Sequence, residues 1–184
     1  MGKDEVLFAA YLGGEEKALH VLIERYGNAL TLYINNYIHD IHEAEDLMIE
    51  AFSRVIRAKP RFIKSGFKSY LYKTARNLSL RHADNRLRHP CFSLEDFGDE
   101  PESKLLVEAV VQTEEQRRIL CQCMEQLNAD YCEALYLMYF EEMSYAQAAQ
   151  VMGKTTKQID HLLERGKKAL RWLLEQEAIT DAQY

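Results

Sequence analysis

The stretch 143–175, MSYAQAAQVMGKTTKQIDHLLERGKKALRWLLE, decides how the rest of the chain is read. A short helix begins after Ser144 and places Ala148, Ala149, Val151 and Met152 at helical spacing. Gly153 interrupts it with a backbone that tolerates turn geometry, and a second helix restarts near Thr155 or Thr156. Ile159, with Leu162 or Leu163, anchors this second helix on the first. Ala148 and Ala149 are small enough for the two to cross closely. That is the pattern of a helix-turn-helix. The exposed side of the second helix then carries Thr156, Lys157, Gln158, His161, Arg165 and Lys168, side chains suited to the phosphates and base edges of a DNA major groove. The competing reading is a helical hairpin packed on its own domain, with these charges merely solvated.

Upstream, Asn128-Ala129-Asp130 marks another helix start, with Asn128 or Asp130 able to accept the orphan amide hydrogens of the next turn. Leu105, Leu106, Val110, Ile119, Leu120, Met124 and Leu127 recur at helical intervals over about 104–127. Before them, SLEDFGDEPES (93–103) combines acids, Gly and Pro with few apolar anchors and reads as a linker of limited order. Residues 5–88 again carry apolar positions at helical spacing, among them Leu22, Tyr26, Leu30, Tyr33, Ile34, Tyr37, Leu47, Phe52, Val55, Phe67, Leu71 and Leu78. Gly13-Gly14, Asp40 and Pro60 to Gly66 are the breaks, giving about four helices able to pack as one bundle. Strand-type alternation is absent. The expected fold is all-α: two small helical domains, 1–90 and 115–184, joined by an acidic linker at 91–114.

Composition agrees with a folded, helix-permissive chain. Of 184 residues, 47% are hydrophobic and only three are Pro. The formal net charge of −6 argues against a nucleic-acid partner until the charges are located. From Arg57 to Arg88 there are ten Lys or Arg against the single acid Asp84, and from Cys91 to Gln116 eight acids against the single base Lys104. The average therefore hides one basic surface and one acidic connector. Cys91, Cys121, Cys123 and Cys132 lack a metal-ligand spacing and read as free thiols, three of them small helix residues. The start of the chain has neither the basic head nor the apolar run of a signal peptide, and no membrane-spanning stretch follows. A cytoplasmic location without membrane insertion is expected. There is no glycine-rich phosphate loop, nucleophile–base pair or metal-ligand set, and the six His are scattered, so neither an enzyme nor a bound cofactor or metal is expected.

The segment AEDLMIEAF (44–52) sets Glu45, Asp46 and Glu50 beside Leu47, Ile49 and Phe52 on one helix. Solubility alone would account for an acidic patch. Together with ALHVLIERYGNAL (18–30), FKSYLYKTARNLSLRHADNRLR (67–88) and the segment from Leu127 to Arg171, however, it resembles bacterial RNA polymerase sigma factors of the sigma-70 family, extracytoplasmic-function (ECF) group. Four motifs in the family's order span roughly 8–88 and 115–174. The resemblance implies a region 2 bundle, a region 4 helix-turn-helix and a linker between them. It implies that Glu45, Asp46, Leu47 and Glu50 bind core polymerase. The basic stretch would hold the non-template strand of the −10 element, through Arg61, Lys64, Lys68, Tyr70, Lys73, Arg76, Asn77 and Arg81. Phe62, Phe67, Tyr70 and Tyr72 offer aromatic faces there, although Phe67 and Tyr70 at helical spacing fit a core as well. Thr156, Lys157, Gln158, His161, Arg165 and Lys168 would read the −35 element. Core RNA polymerase, promoter DNA and an anti-sigma factor are the implied partners.

Departures from the family's pattern concentrate in the second helix of the helix-turn-helix. Asp160 stands where a Lys is usual, Leu162 where an Arg is usual, and Glu164 adds an acid. Each lost cation removes a phosphate contact, which predicts weaker or redirected −35 binding. In the basic stretch Arg81 and Asp84 exchange the usual acid and base, and Tyr70 replaces a usual Trp. Two further readings follow: a sigma-like helix-turn-helix regulator that does not act as a polymerase subunit, and an acidic linker that folds back on the basic stretch.

Overall fold

The computed structural model describes residues 2–60, 66–84 and 114–181. All of the secondary structure among these residues is helical. The helices are α1 (Lys3–Leu12), α2 (Glu16–Ile38), α3 (Ile41–Ala58), α4 (Gly66–Asp84), α5 (Glu114–Glu125), α6 (Ala129–Tyr139), α7 (Tyr145–Met152) and α8 (Thr156–Asp181). Residues 91–113 of the acidic linker, with Cys91 and the apolar positions Leu105, Leu106 and Val110, lie outside the described residues, as do Arg61, Phe62, Lys64, Arg86 and Arg88. The chain divides into two compact units, one made of α1–α4 with Gln150–Lys154, the other holding α5, α6, the start of α7 and α8.

Local chemistry sets the helix ends where the sequence predicts them. Gly13 and Gly14 part α1 from α2, with Gly14 at φ 102°. Asp40 parts α2 from α3: its Oδ1 accepts from the amides of His42 and Glu43 at 3.1 and 3.2 Å, satisfying two of the first-turn donors. Asn128 does the same for α6, accepting from the amide of Asp130 at 3.0 Å. Gly153 adopts φ 65° between α7 and α8 with open space around its Cα, so conformation alone explains glycine there.

In the first unit α2 packs against α1, α3 and α4, and α4 also meets α1 and α3. Its core is rich in rings. Phe67 of α4 lies 5.4 Å from Phe8 of α1, 5.9 Å from Tyr26 of α2 and 6.4 Å from Phe52 of α3, so one residue ties four helices together. Tyr33 bridges Tyr37 and Tyr72 at 5.5 and 5.2 Å. The His82 ring meets the Glu43 carboxylate at 3.1 Å, a second tie between α4 and α3.

In the second unit α8 packs against α5 and α6. Cys121, Cys123, Met124, Cys132, Leu135, Tyr136 and Leu137 are buried, and none of the three cysteines forms a disulfide. Gly166 is the close-approach point. A Cβ there would lie 3.2 Å from Tyr131 Cβ and 3.3 Å from a Leu135 methyl.

Candidate functional site

Three helices carry the residues that the sequence singles out. On α3, Ala44, Leu47, Ala51, Phe52 and Val55 are buried and fix the helix to its bundle. The opposite face exposes His42, Glu45, Asp46 and Ile49. Asp46 and Ile49 are three apart, and Glu45 and Ile49 four apart, so both acids border one apolar side chain. Ile49 is 61% exposed, against 8% for Leu47. Leu47 therefore belongs to the packed side, and the apolar element of the acidic face is Ile49. The alternation of three and four residues around Asp46 could have singled it out. Glu50 sits at the edge of the face, where its carboxylate accepts from Arg54 Nε at 2.9 Å.

On α4, Tyr70, Lys73, Asn77 and Arg81 follow the i, i+3, i+7, i+11 progression of one helix face. Asn77 and Arg81 are exposed, Tyr70 and Lys73 half-buried. Arg81 Nε donates to the Asn77 carbonyl at 3.2 Å, which holds the guanidinium along the helix. Arg76 flanks this face and is half-buried. Lys68 does not join it. It lies on the packed side, with Nζ 5.9 Å from the Tyr26 ring and 5.6 Å from the Tyr72 ring. Phe67 and Tyr72 are fully buried, so of the described aromatics on α4 only Tyr70 reaches the surface. The period of Phe67, Leu71, Ala75 and Leu78 marks the packed side of this helix.

On α8, Ile159, Leu163 and Gly166 are buried, and Thr156, Lys157, Gln158, His161, Arg165 and Lys168 are all exposed. Lys157, His161, Arg165 and Lys168 form a continuous stripe. Gln158 is engaged at the helix start: its side-chain oxygen accepts from the Thr155 amide at 2.8 Å, while Thr155 Oγ1 accepts from the Gln158 amide at 3.2 Å. This reciprocal capping box recurs at α7, where Ser144 and Gln147 exchange bonds at 2.9 and 3.3 Å. The spacings Ser-x-x-Gln and Thr-x-x-Gln were readable signals for both helix starts. Glu164 lies within the stripe and accepts from Lys168 Nζ at 2.7 Å; this bond holds its carboxyl below the usual glutamate range. Asp160 is exposed at the stripe's edge. Lys167 points elsewhere: a hydrogen bond to Tyr139 raises its ammonium pKa, and its Nζ stands 5.1 Å from that ring.

One unit thus presents an acidic and apolar helix face together with a basic and aromatic one, and in the other α8 presents a basic stripe. Residues 22–88 match Sigma-70 region 2 and residues 117–170 match Sigma-70, region 4. The chain belongs to the sigma-70 family of RNA polymerase sigma factors. Its relatives place it in the ECF group. It is 29% identical to the RNA polymerase sigma-H factor of Pseudomonas aeruginosa, over 95% of this chain and 97% of that one. It is 25% identical to the ECF RNA polymerase sigma-E factor of Escherichia coli K12, over 91% and 92% respectively. Among solved structures, CnrH in complex with the cytosolic domain of CnrY shares the fold, with a TM-score of 0.67, 20% identity, and coverage of 94% of this chain and 97% of that one. No helix among the described residues is long and apolar enough to cross a membrane.

Proposed function

We propose that this sigma factor docks on core RNA polymerase through the exposed face of α3, holds the −10 strand on α4, and reads the −35 element with α8. Residues 1–90 are then region 2, 115–184 region 4, and 91–114 the connector. The observation that carries the reading is the two-sidedness of α3. Five buried residues anchor one side, while the other leaves Glu45, Asp46 and a 61% exposed Ile49 facing outward. An exposed isoleucine between carboxylates costs solubility without adding to the core, and it suits a partner surface that pairs an apolar contact with cations.

On α4, Tyr70 supplies the accessible ring for an unstacked base, Asn77 hydrogen-bonds base edges, and Lys73, Arg76 and Arg81 meet phosphates. On α8, Lys157, His161, Arg165 and Lys168 face the major groove while Gln158 and Thr155 hold the helix start. The protein performs no reaction of its own; it supplies promoter specificity to a cytoplasmic polymerase. The Bartonella quintana sigma factor RpoE, solved in complex with the anti-sigma factor NepR, is a structural relative at TM-score 0.62. By that likeness an anti-sigma factor is this chain's third partner.

The direct test is binding of the purified chain to bacterial core RNA polymerase, beside an Asp46→Arg, Ile49→Asp variant whose helix content matches wild type. At least a tenfold loss of affinity is expected, about the effect of removing one well-packed contact centre. A folded wild-type chain that fails to bind core polymerase, with no anti-sigma protein present, overturns the reading.

A further inference from the structure

The helix α1 precedes the residues that match region 2, yet it carries two carboxylates that hold the rest of the unit. Asp4 accepts from the Arg25 guanidinium and the Tyr26 hydroxyl, both on α2. Glu5 reaches α4 instead. Its Oε1 accepts from the Phe67 amide at 2.7 Å, across 62 residues of sequence. That amide lies in the first turn of α4, where no helical carbonyl is available to it, and a carboxylate there also meets the positive end of the helix. The side chain of the same Phe67 rests against Phe8, which is itself on α1 and only 2% exposed. So α1 holds both the backbone and the ring of Phe67, the second residue of α4.

Gly66 makes room for this contact. It sits at φ 81°, and a Cβ built on it would lie 2.7 Å from the same Glu5 oxygen. The seat for the carboxylate exists only because the preceding residue has no side chain.

We propose that Glu5 is a positioning residue for promoter strand separation. By capping α4 it fixes the direction in which that helix presents Tyr70, Lys73, Asn77 and Arg81, all of which follow the capped turn. The proposal rests on the reading of α4 as the −10 surface. Glu5 itself touches no DNA in this scheme, so its removal should leave polymerase binding intact and weaken only the steps that need α4 in register. Because the Phe67 amide needs an acceptor more than it needs a charge, Gln should substitute where Ala cannot.

The test uses the full chain as wild type, Glu5→Ala and Glu5→Gln. Hydrogen exchange is read at the amides of residues 67–70 in the free protein. Core polymerase affinity is then measured, followed by permanganate reactivity of unpaired thymines on duplex promoters selected by wild-type holoenzyme from a random pool. Glu5→Ala should speed exchange in that turn by about tenfold, the range set by loss of a helix cap, and cut thymine reactivity by a similar factor at unchanged core affinity. Glu5→Gln should stay within about threefold of wild type in both, since it keeps the acceptor. Wild-type reactivity in Glu5→Ala, or a Glu5→Gln variant that retains exchange protection but opens no better than Glu5→Ala, overturns the proposal. A wild-type chain that binds no core polymerase overturns the proposed function and this role with it, while exchange in the free chain separately reports whether Glu5 caps α4.

Discussion

Seven aromatic side chains are buried among α1–α4: Phe8, Tyr26, Tyr33, Tyr37, Phe52, Phe67 and Tyr72. The buried side chains of α5 and α6 are mainly thiols, methionine and leucine, with Tyr136 the single ring. The difference changes what each unit can tolerate. Large rings reach across several helices at once, so the first unit depends on the presence of particular side chains. The second depends on close helix approach at Gly166, and therefore on the absence of one.

Removing Phe67 is the strongest way to break the first arrangement. Phe67→Ala should destabilise the α1–α4 unit by about 3–5 kcal/mol, the range for a buried ring lost from a packed core. Denaturant titration combined with hydrogen exchange would show early loss of protection in α1–α4. Tyr70→Ala, at a half-buried position one turn on, should leave the transition nearly in place and weaken binding to single-stranded −10 DNA. Equal destabilisation by the two substitutions would deny the division of α4 into a packed and a presented face.

The second unit breaks by addition. Gly166→Leu places a branched side chain where even a Cβ would meet Tyr131 and Leu135 at 3.2–3.3 Å, and should cost about 1–3 kcal/mol. Gly27 of α2 is the control. It too is buried in a helix, but a Cβ there would meet only Ile23 at 3.7 Å and Met48 at 4.0 Å, ordinary contact distances. Gly27→Ala should therefore raise stability by about 0.5–1 kcal/mol through helix propensity alone. Both values come from the midpoints of chemical denaturation. A destabilising Gly27→Ala would mean that α2 and α3 are packed as tightly as α6 and α8.

These contrasts separate what is legible in the sequence from what is not. Helix ends are readable because they depend on neighbouring atoms: Gly13-Gly14, Asp40, Asn128 and Gly153 act within a few residues of themselves. Which α4 residues face outward is only partly readable. The helical period groups Tyr70, Lys73, Asn77 and Arg81, yet charge alone groups Lys68 with them, and only the rings of Tyr26 and Tyr72 show that it lies on the other side. Leu47 and Ile49 are equally apolar in sequence, and the packing of α3 decides which of them is exposed. Contacts between distant segments are not legible at all. Nothing near Glu5 points to the amide of Phe67, and nothing near Gly166 announces Tyr131.

The smallest expected effect concerns how the two units differ in their use of charge. From Tyr70 to Arg81 the presented face of α4 carries no acid, whereas the stripe on α8 contains Glu164, which already holds Lys168 at 2.7 Å. Because the Glu164 carboxyl is held below its usual range, the pair is intact at neutral pH and is lost only as pH falls through that lowered value. Near DNA the same carboxylate both occupies a cation and repels phosphates, so Glu164→Gln should tighten binding to a selected −35 duplex by about threefold at moderate salt. Freeing one cation for a phosphate should also steepen the slope of log affinity against log salt by about 0.9. Lys168→Ala should then cost more when combined with Glu164→Gln than in wild type, since only without the carboxylate is the ammonium fully available to DNA. Fluorescence anisotropy across a salt series measures all three quantities. An unchanged slope in Glu164→Gln would mean that Lys168 leaves Glu164 for the phosphate unaided, and that the acid in the stripe costs this chain nothing in −35 affinity.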